Sequence, residues 1–177
     1  RLWSSLEATH PLAQWPGHVR CAAGQRWQWD GVQFEVLHPL AAALAAKPNA
    51  LSCVLHVKGE GGSALLAGDI EAAQERELLA RGLTPVDVLL VPHHGSKTSS
   101  SEAFLDALQP HWALVQAGYR NRFGHPAPVV TQRYLERGVA WLTSAQCGAA
   151  TWRSDHAGQV HCERVDAQRY WRHVPGP

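Results

Sequence analysis

Residues 86–102 have the sequence VDVLLVPHHGSKTSSSE, an apolar run that ends in two adjacent histidines and a polar loop. Apart from Asp87, residues 86–91 are all valine or leucine. So continuous an apolar run is typical of a strand that is covered on both faces. Pro92 cannot donate a hydrogen bond to a neighbouring strand, so we expect the strand to end there.

The polar part of this stretch predicts a sharp turn followed by a helix. Gly95 allows the backbone to turn, and Ser99 and Glu102 have the spacing of a capping box. A helix is therefore expected to begin there and to end at Pro110. Its apolar positions are Phe104, Leu105 and Leu108.

His93 and His94 lie where the buried strand meets this loop. Burying an imidazole costs free energy unless its nitrogens find partners, so a functional site explains the pair better than a core does. The alternative is that both are solvated loop histidines. Since successive side chains of an extended chain point to opposite faces, we expect one histidine to enter the site and the other to support it.

Two hairpins are predicted before this strand. In the first, Asp30-Gly31 favours the positive φ angles of a tight turn and joins two strands within residues 26–37. In the second, a glycine-rich turn at residues 59–62 joins residues 51–58 to residues 63–67. The last strand of the second hairpin leads directly into another candidate site residue.

Asp69 and His125 also follow predicted strands. Asp69 precedes a predicted helix over residues 70–81, so it is either the N-cap of that helix or a metal ligand at the end of a strand. The cap alone would explain it. His125 lies in a loop that follows a predicted strand at residues 112–117.

The remaining chain completes an alternation of strands and helices, which indicates an α/β fold. The further predicted elements are a short helix or loop at residues 40–46, a helix at 128–137, and strands at 140–143, 149–153 and 160–163. If the strands before Asp69, His93 and His125 share one sheet and one direction, their loops converge at one edge, where α/β proteins place chemistry. One carboxylate with neutral imidazoles is a ligand set for zinc or manganese.

Length and composition fit one globular domain. The chain has 177 residues, of which 45% are hydrophobic and 18% charged. Its formal charge of +1 gives no overall basic signal for nucleic acid. No apolar run approaches the roughly 20 residues that span a bilayer. The chain begins at Arg1 and contains no methionine, so we expect it to be a piece of a longer polypeptide.

Four cysteines lie far apart and show no C-x-x-C spacing. They are Cys21, Cys53, Cys147 and Cys162. We expect them to be packing residues, with a Cys147–Cys162 bridge as the alternative in an oxidising compartment. The lack of cysteine near the histidines argues against a structural zinc site.

Three motifs resemble those of a known family. They are LLAGDI at residues 65–70, the stretch at residues 86–99, and NRFGHP at residues 121–126. These motifs are similar to those of the metallo-β-lactamase-fold domain at the C-terminus of ComEC-type DNA-internalisation competence proteins. Asn49, Ser52 and Gly148 also fit the pattern.

The resemblance implies the C-terminal part of a metallo-β-lactamase αββα sandwich, an α/β fold with mixed sheets flanked by helices. It implies metal-dependent hydrolysis of phosphodiester bonds in DNA, with two zinc or manganese ions in the intact domain. The implied metal ligands are Asp69, His93, His94 and His125. The implied catalytic groups are Asp69, His93, His94 and Lys97, and the implied substrate contacts are Ser96, Lys97, Asn121 and His125. The alternative for Lys97 is a solvated loop lysine.

One family motif is absent from the 177 residues. The main metal-binding cluster, His-x-(His/Asp)-x-Asp-His, belongs N-terminal to this stretch, so the chain would hold the second half of a site. Alone, it is expected to bind metal weakly or not at all and to lack nuclease activity. We expect an irregular segment at residues 1–20, the metallo-β-lactamase-like domain at 21–165 and a flexible tail at 166–177.

The intact protein is expected to be a bacterial inner-membrane DNA-uptake protein, with this domain on the periplasmic side. Its expected partners are DNA and the membrane channel of the same polypeptide. The alternatives are a small-molecule lactonase or phosphoesterase of the same fold, and a catalytically silent module that steers DNA. A basic groove with aromatic platforms would favour DNA, and a closed apolar pocket a small molecule. Trp27, Trp29 and Trp112 are expected in the core.

Overall fold

A computed structural model describes residues 1–40, 47–167 and 171. Its strands are β1 (Leu2–Ser4), β2 (His18–Arg20), β3 (Arg26–Trp29), β4 (Val32–His38), β5 (Val54–Gly59), β6 (Gly62–Leu66), β7 (Val88–Leu90), β8 (Trp112–Val115), β9 (Ala140–Thr143), β10 (Ala150–Trp152) and β11 (Val160–Cys162). Its α-helices are α1 (Ala72–Ala80), α2 (Glu102–Leu108), α3 (Pro128–Glu136), α4 (Ser144–Cys147) and α5 (Glu163–Asp166). The predicted class, α/β with mixed sheets and flanking helices, is confirmed.

The largest sheet has seven strands in the order β3-β4-β5-β6-β7-β8-β9. Strands β3 to β6 are antiparallel, and both predicted hairpins are confirmed. Asp30 and Gly31 have φ angles of 50° and 77°, as a tight turn between twisted strands requires. Strands β6 to β9 are parallel, so their carboxyl ends lie at one edge of the sheet.

The core lies between this sheet and the helices α1, α2 and α3. Strand β7 is hydrogen-bonded on both sides, and consecutive residues Val88 and Leu89 are only 5% and 0% exposed. Because their side chains point to opposite faces, the strand is covered on both, as its continuous apolar sequence predicts. Phe104 of α2 and Tyr134 of α3 are fully buried against the sheet.

The predicted capping box at Ser99 is wrong. Helix α2 begins at Glu102, and the amides of Ser100 and Ser101 donate to the carboxylate of Glu75, at 2.5 and 2.8 Å. Glu75 is fully buried on α1, where these bonds satisfy its charge. The Ser99 hydroxyl instead donates to the carbonyl of Pro92. A residue from another helix therefore caps α2.

The expectation that the cysteines are packing residues is wrong, since two disulfides form. The Cys147–Cys162 bridge was the alternative from sequence, and the Cys21–Cys53 bridge was not foreseen. The segment at residues 1–20 is not irregular, because β1 and β2 pair in parallel there.

The tryptophans expected in the core differ in their surroundings. Trp27 stacks between Trp3 and Phe34, with ring centroids 4.6 and 5.1 Å away. Trp29 is 75% exposed, so its predicted place in the core is wrong. Trp112 is partly buried in β8.

Some predicted segments are only partly described. Residues 41–46 of the predicted helix or loop, and most of the predicted tail at 166–177, lie outside the described residues. Within the described ranges, no helix combines the length and the apolar character that crossing a bilayer demands.

Candidate metal site at the carboxyl edge of the sheet

Three loops meet beyond the carboxyl ends of β6, β7 and β8, as the strand directions predict. Asp69 Oδ1 lies 3.6 Å from His94 Nε2. The ring centroids of His93 and His125 are 6.2 Å apart. The residues that follow three separate strands therefore form one cluster.

The histidine pair does not continue the strand as an extended chain. His93 and His94 have φ angles of 49° and 56°, in the left-handed region, and Gly95 follows at 79°. The expectation that the two side chains point to opposite faces is therefore wrong, and both rings lie in the cluster, 6.4 Å apart. A Cβ at Gly95 would lie 2.7 Å from Cβ of Pro126, so only glycine lets this turn contact the His125 loop.

His94 is oriented by a main-chain contact. Its Nδ1 lies 2.7 Å from the carbonyl oxygen of Gln116. Because a carbonyl only accepts, Nδ1 donates, and Nε2 of the neutral ring carries a lone pair that faces Asp69. Two acceptors facing each other call for a cation or a proton between them. Two ligands of one tetrahedral zinc ion, with bonds of about 2.0 Å, lie about 3.3 Å apart, which is close to the separation here.

His93 is held at both ring nitrogens. Its Nδ1 lies 3.3 Å from a carboxylate oxygen of Glu71 and 3.4 Å from the hydroxyl of Thr98. Its Nε2 accepts from the amide of Asn49 at 3.3 Å. In this arrangement His93 supports the cluster, whereas Nε2 of His94 faces the Asp69 carboxylate.

Asp69 is not the N-cap of α1, so the alternative explanation from sequence is excluded. The N-cap is Glu71, which forms a capping box with Gln74. The backbone amide of Asp69 donates to the hydroxyl of Ser52 at 3.1 Å, which leaves its carboxylate for His94. Sequence reasoning missed Glu71, although the E-x-x-Q spacing over residues 71–74 was a signal for it.

His125 is positioned by Asn121. The Asn121 side chain accepts from the backbone amide of His125 at 2.9 Å and donates to its carbonyl at 2.7 Å. Nδ1 of His125 is buried with no hydrogen-bond partner among the described residues. Burial, followed by the charges of His93 and His94, lowers the pKa of the imidazole. A lowered pKa favours the neutral imidazole, which is the form that binds metal.

The two other predicted phosphate contacts differ in exposure. Lys97 is exposed at the tip of the loop. Ser96 is buried, and its hydroxyl lies 3.1 Å from that of Thr98, so contact with a substrate would require the loop to rearrange. The substrate roles of Ser96, Lys97, Asn121 and His125 stay predictions, as do the ligand roles of the histidines.

The cluster fits part of a metal site. Asp69 and His94 have the spacing of two ligands, and His125 offers an unpartnered nitrogen. However, no three histidine, cysteine, aspartate or glutamate side chains within residues 1–40, 47–167 and 171 are placed to hold an ion together. A structural zinc site generally needs four ligands and a catalytic one three.

Comparison with known proteins shows the family to which the chain belongs. Competence protein ComA of Neisseria gonorrhoeae is 37% identical over 160 residues, which cover 89% of this chain and 23% of that protein. ComE operon protein 3 of Bacillus subtilis is 38% identical over 133 residues, 73% of this chain and 17% of that protein. Over these residues, the chain belongs to the ComEC-type family of competence proteins. No family model matches it.

The chain spans less than a quarter of the length of these competence proteins. Among solved structures, a putative Zn-dependent hydrolase of the metallo-β-lactamase superfamily from Thermotoga maritima is similar over 60% of this chain and 52% of that one. It is 18% identical, with a TM-score of 0.36, which is too low to bear on the chemistry. Asp69, His93, His94 and His125 must therefore be interpreted from their own geometry.

Proposed function

We propose that this chain is part of a metal-dependent phosphodiesterase that acts on DNA in a ComEC-type uptake protein. The observation that carries the proposal is the 3.6 Å approach of His94 Nε2 to Asp69 Oδ1, with the ring oriented by the Gln116 carbonyl. In this proposal Asp69 and His94 are two ligands of a site that the rest of a longer polypeptide completes. Zinc and manganese both suit the ligand set.

Each residue of the cluster has a distinct task in the proposed reaction. Asp69 and His94 would hold the ion, and His93, fixed by Glu71, keeps the turn in place. A bound divalent ion would supply a water of lowered pKa and offset charge on the phosphate. His125 contacts either a second ion or the phosphate, and Lys97 offers a positive charge to a phosphate oxygen.

The surroundings of the cluster favour DNA over a small molecule. The neighbouring loop exposes Tyr119 and Phe123 together with Arg120 and Arg122, instead of closing an apolar pocket over the site. Polyanionic strands are bound by exposed cations and aromatic rings. A lactonase or phosphoesterase would instead bury most of its ligand in a pocket.

The disulfides support a location outside the cytoplasm. Disulfides such as Cys21–Cys53 and Cys147–Cys162 persist in oxidising compartments such as the periplasm. We therefore propose that this part of the protein faces the periplasm, beside the membrane channel of the same polypeptide. Alkylation of free thiols in intact cells, followed by mass spectrometry, tests this, and four modified cysteines would contradict it.

The proposed activity is tested in the full-length protein by a plasmid-nicking assay with zinc or manganese. Asp69→Ala and His94→Ala should abolish nicking, because each removes a ligand, and both should melt like the unchanged protein. Arg153→Gln, at a surface ion pair with Asp155, is the control and should keep full activity. Nicking retained by Asp69→Ala would refute the proposal, and unfolding of that variant would show that Asp69 is structural.

The half-site is tested on the chain of residues 1–177. Calorimetric titration with zinc and with manganese should show no submicromolar binding, since too few ligands are brought together. Submicromolar binding of one or more ions per chain would show that the cluster is complete by itself. The proposal of a shared site would then be wrong.

A further inference from the structure

The loop that carries His125 presents two exposed aromatic rings. Tyr119 is 44% exposed and Phe123 is 66% exposed. An arginine lies over each ring, with Cζ of Arg120 5.2 Å from the Tyr119 centroid and Cζ of Arg122 4.8 Å from the Phe123 centroid. Two ring–arginine pairs thus lie on either side of Asn121 in one short loop.

This loop is fixed in shape. Arg120 has a φ of 50°, a conformation that costs a non-glycine residue free energy unless its surroundings hold it. Asn121 provides that support, since its side-chain amide donates to the carbonyls of Gly118 and His125. Because the loop is already ordered, it loses little conformational entropy when a ligand binds to its rings.

Aromatic rings connect this loop to the candidate metal site. Phe123 stacks on His125 with the centroids 5.8 Å apart and the planes 18° apart. His125 in turn lies 6.2 Å from His93. Because Arg122 already lies over the Phe123 ring, a base that stacks here does so on the guanidinium plane or in its place, next to the Phe123–His125 stack and so beside the candidate metal site.

We propose that Tyr119 and Phe123 form a stacking platform that selects single-stranded DNA, with Arg120 and Arg122 on its phosphates. The proposal rests on the proposed function and adds the form of its substrate. A single strand offers its base faces to rings and guanidinium planes, whereas a duplex keeps them stacked inside. The platform thus distinguishes the two forms without reading sequence.

The test measures binding without cleavage, by fluorescence anisotropy in the presence of a metal chelator. The probes are a labelled oligothymidylate, an abasic strand of the same length and charge, and a duplex of the same length. The chain should bind the oligothymidylate at least about fivefold more tightly than either other probe, since base stacking contributes about five- to a hundredfold per base. Equal affinities for the strand with bases and the abasic strand would overturn the proposal, as would no measurable binding at low salt.

Variants assign the effect to the loop. Tyr119→Leu and Phe123→Leu should each weaken binding of the oligothymidylate about fivefold or more and leave the abasic strand unchanged. Arg122→Gln should weaken binding of both strands and reduce the dependence of affinity on salt. Trp29→Leu removes a still more exposed ring at the tip of the first hairpin and should leave the affinities for all three probes unchanged.

The outcomes separate this inference from the proposed function. Base-dependent binding that Tyr119→Leu and Phe123→Leu abolish, in a full-length protein that never nicks DNA, would support the platform and refute the nuclease. Nicking without base-dependent binding would refute the platform alone. Unchanged binding by both leucine variants, with melting temperatures like that of the starting chain, would also refute the platform.

Discussion

Two neighbouring rows of side chains run across strands β5 to β9 of the seven-stranded sheet, one row on each face. The covered row, beneath the helices, consists of His56, Leu65, Leu89, Ala113 and Trp141. The open row, one residue along each strand, consists of Leu55, Leu66, Leu90, Leu114 and Leu142. Leu65 and Leu89 are 1% and 0% exposed, whereas Leu66 is 36% exposed and the other leucines of the open row are partly exposed.

The difference is that helices α1, α2 and α3 of this chain pack against only one of the two faces. The covered row is packed by helices of this chain. Five leucines in register on the other face form a contiguous apolar surface, of the kind that marks an interaction surface. Within the described residues, the segment around Trp152 covers that face near Gly62. Trp3 covers it at Trp27, which is in register with Phe34, Val57 and Ala64. On this second face β7 is covered at Val88, which is 5% exposed, and partly exposed at Leu90, so only part of the open row is accessible.

The largest expected effect comes from truncating one leucine on each face of β7. Leu89→Ala should lower the free energy of unfolding by about 2–5 kcal/mol, because it leaves a cavity in a packed core. Leu90→Ala should lower it by about 1 kcal/mol or less, because its surroundings are already accessible to water. Urea unfolding followed by circular dichroism measures both values.

Each variant is the control for the other, because both truncate a leucine to alanine in the same strand and differ only in the face of the sheet. Equal losses for Leu89→Ala and Leu90→Ala would show that the open row is packed in solution as well. The distinction between the two faces would then disappear.

The second prediction concerns the disulfide that anchors the segment over the open face. Cys147→Ser with Cys162→Ser should lower the free energy of unfolding by about 3 kcal/mol, through the added freedom of the unfolded chain. Thermal unfolding under non-reducing conditions measures it. Removing the Cys21–Cys53 bridge should lower the free energy of unfolding by a similar amount, but it should leave the exposure of the open face unchanged. Binding of a hydrophobic dye should increase only when Cys147–Cys162 is removed. An equal increase for both double variants would contradict the assignment of the β10–β11 hairpin, which contains Trp152, to that face.

A third prediction concerns association. The open row should make the chain of residues 1–177 self-associate, and Leu66→Glu with Leu114→Glu should weaken that association about tenfold or more by placing charge on the surface. Sedimentation equilibrium measures the change. Leu135→Glu, at a 60% exposed position on α3, is the matched control. A chain that stays monomeric at all concentrations would show that an apolar row of this size is not sufficient for self-association.

Local sequence signals predicted most of the fold and the meeting of the candidate residues. Asp30-Gly31 fixed the first hairpin, and the apolar run of β7 predicted a central strand. Because Asp69, His93 and His125 each follow a strand, the parallel direction of β6 to β8 was enough to bring them together.

Most of the errors concern contacts between residues far apart in the chain. Glu75 caps α2 from another helix, so the Ser99 spacing was misleading. Cys21 and Cys53 are separated by 32 residues, and spacing alone does not predict pairing. The left-handed turn at His93 is set by contact between Gly95 and Pro126, which no local propensity encodes.

The smallest expected effect lies at the start of α1, the helix over the covered row. Glu71→Ala removes the N-cap and should lower the free energy of unfolding by about 1 kcal/mol. Asp69→Ala removes only a solvent-accessible contact with His94, which should contribute about 0–1 kcal/mol, and it leaves the bond from its own backbone amide to Ser52 intact. Urea unfolding of both variants measures the difference. A larger loss for Asp69→Ala than for Glu71→Ala would mean that the carboxylate supports the fold, whereas the expected order leaves Asp69 with no structural task large enough to explain its place opposite His94.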